Sequence, residues 1–326
     1  MAWSTAIGVL MLASALAGLG TFVPTVPVLA QTTTIPGSPI KFPTEAALFL
    51  RWSNMKQTFL FRPAQGDGPF PAVVVLPPCG GMGLNSFDWA ERLTKEGYVA
   101  LLVESNTARG ITRNCSNQPA IKLDQQMVDA AAALEHLRRL TIVMGDRLAV
   151  LGFSFGGMVA LRMASATYQK DMAFGPRGLK AVASFYPWCD RNGRGYDSRD
   201  IVTDGIPPDI VTPTMLFAGG KDDESLPQPC IENVERVRSR GRPISLKLYP
   251  NATHGFDMRN YGLEGRRNPQ GYFYRYDPDA TADSWREVNA FFARELATPY
   301  APPPAPTRTG PQPEEGYAEE RNRLLR

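Results

Sequence analysis

The stretch Arg147-Leu148-Ala149-Val150-Leu151-Gly152-Phe153-Ser154-Phe155-Gly156-Gly157-Met158 decides how the chain is read. Arg147 to Phe153 forms a short apolar run, the pattern of a strand covered on both faces. The spacing from Phe155 to Ala166 predicts a helix. The turn between them has to be sharp, and glycine two positions before and two positions after Ser154 removes side chains that would collide there. Such a turn exposes a hydroxyl at the end of a strand. Ser154 is therefore a candidate nucleophile, and the helix opening at Phe155 would aim its N-terminal N–H groups at a reacting carbonyl oxygen. A glycine-flanked strand end with no chemistry has the same local pattern, so context has to separate the two.

Working outward, short β-rich runs alternate with helical patterns. Phe49 to Trp52 and Gln57 to Phe61 read as opening strands, and Gly66-Asp67-Gly68 is a turn leading into the apolar strand Ala72 to Leu76. A helix from Ser86 to Glu96 and a strand from Tyr98 to Val103 follow. The next helix, Leu123 to Leu140, carries Met127, Ala131, Leu134 and Leu137 at helical spacing. Beyond the serine come strands near Leu179 to Phe185, Thr214 to Ala218 and Ile244 to Tyr249, with helices at Ile231 to Ser239 and Ala280 to Leu296. This alternation predicts an α/β protein, a doubly wound, mostly parallel sheet with helices on both faces. Right-handed crossovers then gather the loops that follow the strands along one edge, where ligands bind.

The chain has 326 residues, 43% hydrophobic and 21% charged, enough for a sizeable core. Lys plus Arg exceed Asp plus Glu by 35 − 32 = 3, and the charges are interspersed. No basic stripe tracks a phosphate backbone, so nucleic acid is not an expected partner. Residues 1–40 carry no charged side chain, and Ala6 to Gly20 is an apolar run of about 15 residues, short for a membrane span. With Val28-Leu29-Ala30 supplying small residues for cleavage before Gln31, residues 1–30 are expected to be a signal peptide and the protein to be exported, periplasmic or secreted. An uncleaved N-terminal anchor is the alternative, because no Lys or Arg precedes the apolar run. Residues 31–41 form a linker, 42–298 a single catalytic domain of about 260 residues, and 299–326 a proline-rich tail expected to stay disordered.

Cys79, Cys115, Cys189 and Cys230 are an even set, and in an oxidising compartment two disulfides become available with three possible connectivities. No spacing suggests a zinc site, and no metal ligands are assigned.

The rest of the chain supplies the context that Ser154 needs. A triad in this kind of sheet runs Ser, acid, His, each on a loop after a strand. After Thr214 to Ala218 comes Gly219-Gly220-Lys221-Asp222-Asp223, and after Ile244 to Tyr249 comes Pro250-Asn251-Ala252-Thr253-His254. His254 would take the Ser154 proton, and a carboxylate would hold its tautomer. Asp222 is the favoured acid and Asp223 the alternative; His136, inside a helical pattern, is read as a packing residue. For an oxyanion hole the N–H of Phe155 is one donor. In Pro77-Pro78-Cys79-Gly80-Gly81 the prolines have no N–H, which makes Cys79 the second candidate.

At this point the chain resembles the dienelactone hydrolase family of α/β hydrolases. The resemblance runs over about residues 42–298, through Arg62-Pro63, Gly68 to Leu76, Cys79-Gly80-Gly81, Gly97-Tyr98-Val99-Ala100, the Ser154 turn, the Asp222 turn and the His254 loop. It implies hydrolysis of small-molecule esters or lactones with neither metal nor organic cofactor, with the family's motif positions falling on Ser154, Asp222 and His254. Three positions depart from the family pattern. Its type members carry a cysteine where Ser154 stands, a glutamate where Pro78 stands, and an arginine where Met258 stands, with Arg259 one residue later. These departures make the chain look more like a general serine esterase. A serine peptidase or acyltransferase, or a binding protein that keeps the fold, are the alternatives. The resemblance to exported relatives implies a Cys189–Cys230 bridge, leaving Cys79 with Cys115. Long connections at 190–211, with Tyr196 in it and Trp188 beside it, and at 256–276, rich in Tyr and Phe, are candidate substrate-shaping loops.

Overall fold

The computed structural model describes residues 59–115, 119–171, 179–190 and 205–297. The expected signal segment, linker, strand at Phe49 to Trp52, tail, and most of the 190–211 connection lie outside them.

Seven strands form one sheet in the order β1-β3-β2-β4-β5-β6-β7. They are β1 (Phe59–Phe61), β2 (Phe70–Leu76), β3 (Val99–Leu102), β4 (Val143–Phe153), β5 (Ala181–Phe185), β6 (Thr214–Gly219) and β7 (Ile244–Tyr249). Only the edge strand β1 is antiparallel; every other pair is parallel. Helices connect them: α1 (Leu84–Lys95), α2 (Ser105–Ala108), α3 (Leu123–Arg139), α4 (Phe155–Met163), α5 (Ala166–Asp171), α6 (Pro227–Arg238) and α7 (Pro278–Glu295).

Both faces of the sheet are covered, as the unbroken apolar strands require. Along β2, Val74 and Leu76 join a layer with Met127, Leu134 and Leu137 of α3 and Val159 of α4. Val73 and Val75 face the opposite layer, where Trp89 of α1 packs with Val288 and Phe292 of α7. There Trp89 and Trp285 stack with centroids 4.2 Å apart. His136 is buried on α3, and burial, then the nearby Arg139 charge, push its imidazole pKa down.

Three element boundaries differ from the sequence expectation by three residues or more, each for a tertiary reason. Strand β4 starts at Val143 because Val143 pairs with Phe70 across a register shift in β2, despite Gly145-Asp146. Helix α4 stops at Met163 because Ser165 bridges to Ile210 and Val211 N–H donates to Ala164 O. The chain then restarts as α5, with Asp209 accepting from Ser165 Oγ at 2.7 Å and Thr167 N–H at 2.8 Å. Helix α6 begins at Pro227, a residue suited to a first helical position, where its missing N–H costs nothing.

Two disulfides, Cys79–Cys115 between the loops after β2 and β3 and Cys189–Cys230 from the loop after β5 to the first turn of α6, tie segments at the C-terminal edge of the sheet. Among the described residues no helix is long and apolar enough to cross a membrane.

Candidate active site

The turn from β4 into α4 has the crowding its glycines predict. A Cβ on Gly152 would collide with the Gly156 carbonyl, and one on Gly156 would sit 2.5 Å from Pro77 O. A Cβ on Gly157 would lie 2.9 Å from Phe185 O. Ser154 itself has φ 51° and ψ −112°, a conformation that costs a non-glycine residue on the order of 1–3 kcal/mol. Its N–H donates to Phe185 O at 2.9 Å, and its carbonyl accepts from Met158 N–H at 2.9 Å. Backbone on both sides therefore holds the hydroxyl at the mouth of the sheet.

The loops after β6 and β7 meet backbone to backbone. A Cβ on Gly219 would be 2.5 Å from Ala252 O, and one on Gly220 would be 2.6 Å from Pro250 O. Lys221 N–H donates to Ala252 O at 2.9 Å across the same contact. This close passage delivers Asp222 and His254 to each other: His254 Nδ1 is 2.7 Å from Asp222 Oδ2. The other face of the imidazole is also engaged, with Nε2 3.0 Å from Ser154 Oγ. Asp222 Oδ1 accepts from Glu224 N–H at 2.9 Å and Ser225 N–H at 2.7 Å, so one carboxylate both holds the histidine and shapes its own turn.

Asp223, the alternative acid, points elsewhere. Its carboxylate accepts from Phe273 N–H at 3.0 Å and fastens a two-stranded ribbon, β8 (Arg266–Arg267) with β9 (Phe273–Tyr274), that the sequence did not foretell. The ribbon lies against the histidine. Tyr274 is bridged to His254 through the backbone, its ring is 5.1 Å from the imidazole, and its hydroxyl donates to Glu224 at 2.6 Å. Tyr261 packs on Tyr274 at 4.7 Å. Phe256, one of the candidate loop aromatics, is instead fully buried among Phe185, Tyr186 and Tyr249.

Burial of His254 disfavours its cation, but the Asp222 charge and hydrogen bond outweigh that penalty, with Glu224 and Asp257 adding to them. The net effect raises the imidazole pKa above its ordinary value. The arrangement can accept a proton from Ser154 and hold the resulting imidazolium.

Sequence reasoning missed two buried carboxylates. Asp257 accepts from Tyr186 Oη at 2.6 Å, Trp89 Nε1 at 2.9 Å and Asn85 Nδ2 at 3.4 Å. Burial raises the pKa of Asp257 despite these donors, and the Tyr186 ring stands 4.7 Å from His254. The second is Glu104, behind the loop that carries Cys79. The position of Asp257, three residues after His254, was the available signal; nothing local marked Glu104. Arg259 forms an exposed pair with Asp88 at 2.7 Å, and Met258 sits under Gly255.

Cys79 and Phe155, the candidate oxyanion donors, lie on facing segments. Pro77, two residues before Cys79, contacts the Gly156 position next to Phe155, and Cys79 and Phe155 belong to the same apolar layer.

Comparison with known proteins agrees with the fold. A "Putative carboxymethylenebutenolidase" of Synechocystis sp. is 27% identical over 248 residues, 70% of this chain and 88% of that protein. A "Probable 2-oxo-3-(5-oxofuran-2-ylidene)propanoate lactonase" of Bradyrhizobium sp. is 27% identical over 205 residues, 61% of this chain and 77% of its own length. Among solved structures, a dienelactone hydrolase-like promiscuous phosphotriesterase from metagenomic libraries superposes with TM-score 0.55 at 20% identity, covering 73% of this chain and 92% of that one. The dienelactone hydrolase family model matches residues 57–296, which span the whole described sheet and all three residues of the Ser154–His254–Asp222 line, and the chain belongs to that family.

Proposed function

We propose that this carboxylic ester hydrolase cleaves small or aromatic esters or lactones through an acyl-enzyme on Ser154. The observation that carries the reading is His254, with Nδ1 2.7 Å from Asp222 and Nε2 3.0 Å from Ser154 Oγ. Ser154 Oγ adds to the ester carbonyl carbon while its proton passes to His254 Nε2. Asp222 holds the Nδ1–H tautomer and offsets the imidazolium charge. The N–H groups of Cys79 and Phe155 receive the oxyanion. Collapse of the tetrahedral intermediate expels the alkoxide, which takes the proton from His254. Water, deprotonated by the same imidazole, then releases the carboxylic acid and returns the serine.

In this reading the catalytic domain spans 42–298, with Tyr274 and Tyr261 lining the approach to His254. The two disulfides suit an oxidising compartment, and with residues 1–30 as a signal peptide they support export. The test is hydrolysis of p-nitrophenyl esters of increasing acyl length by the protein lacking residues 1–30, beside its Ser154→Ala variant, with phosphonate labelling of both. Turnover and labelling that vanish in the variant are expected. Equal turnover in both proteins refutes the acyl-enzyme.

A further inference from the structure

Glu104, just beyond β3, is 3% exposed and takes no part in the steps above. Its Oε2 accepts from Met82 N–H at 2.6 Å and its Oε1 from Asn106 N–H at 2.8 Å. The approach is close because Gly81, at φ +85°, has no side chain; a Cβ there would be 2.9 Å from Glu104 Oε2. Asn106 in turn donates from Nδ2 to Cys79 O at 3.1 Å. The same carbonyl accepts from Asn114 N–H at 2.8 Å, beside the Cys79–Cys115 bridge.

One peptide earlier, Pro78 O accepts from Gly81 N–H at 2.9 Å. The C=O and N–H of a trans peptide point in opposite directions. Pinning Pro78 O inside the turn therefore directs the Cys79 N–H outward. Among the described residues none accepts a hydrogen bond from it. The loop also rests on the nucleophile turn, as Pro77 O beside Gly156 shows.

We infer that Glu104, acting through Met82 and Asn106, is a positioning residue that holds the Cys79 N–H at the oxyanion site. The inference rests on the acyl-enzyme reading. A carboxylate suits this task because it receives backbone N–H groups from both sides as charge-assisted hydrogen bonds, which are shorter and stronger than neutral ones. Glu104→Gln puts an amide N–H₂ where one of the two N–H groups needs an acceptor, and that side of the loop is released.

The test uses Glu104→Gln, Asn106→Ala and Ser154→Ala in the full chain. Asn106→Ala deletes the donor to Cys79 O while leaving the carboxylate and its backbone contacts in place. Both loop variants are expected to lower kcat about 10- to 100-fold with KM within about threefold, the scale of a misplaced rather than deleted donor. A second readout is inhibition by phenyl trifluoromethyl ketone. Ser154 Oγ adds to its carbonyl carbon, the proton passes to His254, and the carbonyl oxygen becomes the oxyanion. Its Ki should rise by the same factor as kcat falls, while the non-adding parent acetophenone binds as before. Wild-type kcat and ketone affinity in a folded loop variant, or a rise in KM alone, overturns the inference. If Glu104→Gln does not fold, Asn106→Ala decides. Turnover surviving in Ser154→Ala would instead overturn the acyl-enzyme reading on which this one rests.

Discussion

Two adjacent carboxylates, Asp222 and Asp223, offer a sharp test because the structure gives them unrelated partners. Asp222, 3% exposed, meets His254 Nδ1 at 2.7 Å, whereas Asp223 reaches the ribbon, at the Phe273 backbone and the Arg267 guanidinium. In the transition state the imidazolium and the Asp222 carboxylate become opposite charges with centres about 4 Å apart, worth about 4 kcal/mol at an effective dielectric of 20. At about 1.4 kcal/mol per decade this is roughly a thousandfold in kcat. Asp222→Asn removes the charge but keeps an oxygen for the Glu224 and Ser225 N–H groups, so the turn survives. If the amide nitrogen faces Nδ1, it also selects the tautomer with a proton on Nε2, which has no lone pair for the Ser154 hydroxyl. The expected result is a kcat about 10³-fold below wild type for Asp222→Asn, against less than about tenfold for Asp223→Asn.

The pH profile adds an independent check. His254 must be neutral to act as base, so activity rises as it deprotonates, and its raised pKa sets that limb above the ordinary imidazole range. Because Asp222 is what stabilises the cation against burial, the residual activity of Asp222→Asn should rise at lower pH than wild type. Steady-state p-nitrophenyl acetate hydrolysis from pH 5 to 10 reads both quantities. The reasoning fails if Asp222→Asn retains kcat within threefold, if Asp223→Asn is equally damaging, or if the limb moves to higher pH.

Three further outcomes follow from the geometry. Gly156→Ala forces a Cβ to 2.5 Å from Pro77 O, against backbone that cannot rotate away; a loss of at least about 2 kcal/mol in urea unfolding is expected. Cys189→Ser with Cys230→Ser opens a bridge of sequence separation 41, for which chain entropy gives a loss of about 4 kcal/mol, measured as the denaturation midpoint under oxidising conditions. Arg259→Ala breaks an exposed pair with Asp88 and should leave the urea midpoint essentially where it is in wild type. It should also leave kcat/KM for a carboxylate-bearing lactone within threefold, since this guanidinium is committed to Asp88.

Much of this architecture was legible in the sequence because local chemistry and global fold agree there. Apolar runs such as Ala72 to Leu76, short, β-branched and preceded by a Gly-rich turn, favour a strand covered on both faces, and the glycines around Ser154 announce the turn. The order of Ser154, Asp222 and His254 along the chain follows from the same alternation of strands and helices. What stayed hidden depends on contacts between distant segments. Asp209 starts α5 from more than forty residues away, and the ribbon at 266–274 is held by Asp223 and Glu224 rather than by strong strand propensity of its own. Glu104 looked like an ordinary loop acid, since its partners at Met82 and Asn106 come together only when the edge of the sheet assembles.

The backbone contact at Gly219 and Gly220 also bears on how this scaffold can be diversified. Because Ala252 and Pro250 carbonyls fill the space that a side chain would need, the acid loop and the histidine loop form one mechanical unit. An insertion in either would have to be matched in the other to keep the proton relay. Between Tyr261 and Tyr274 the chain is tied down as well, with a Cβ on Gly265 falling 2.7 Å from Tyr274 O and Asn268 Nδ2 donating to Glu224 at 3.2 Å, but a Cβ on Gly271 at the ribbon's tip would meet nothing within 4 Å. Libraries aimed at new substrates belong at that tip, around Gly271, rather than in the paired ribbon that leans on His254.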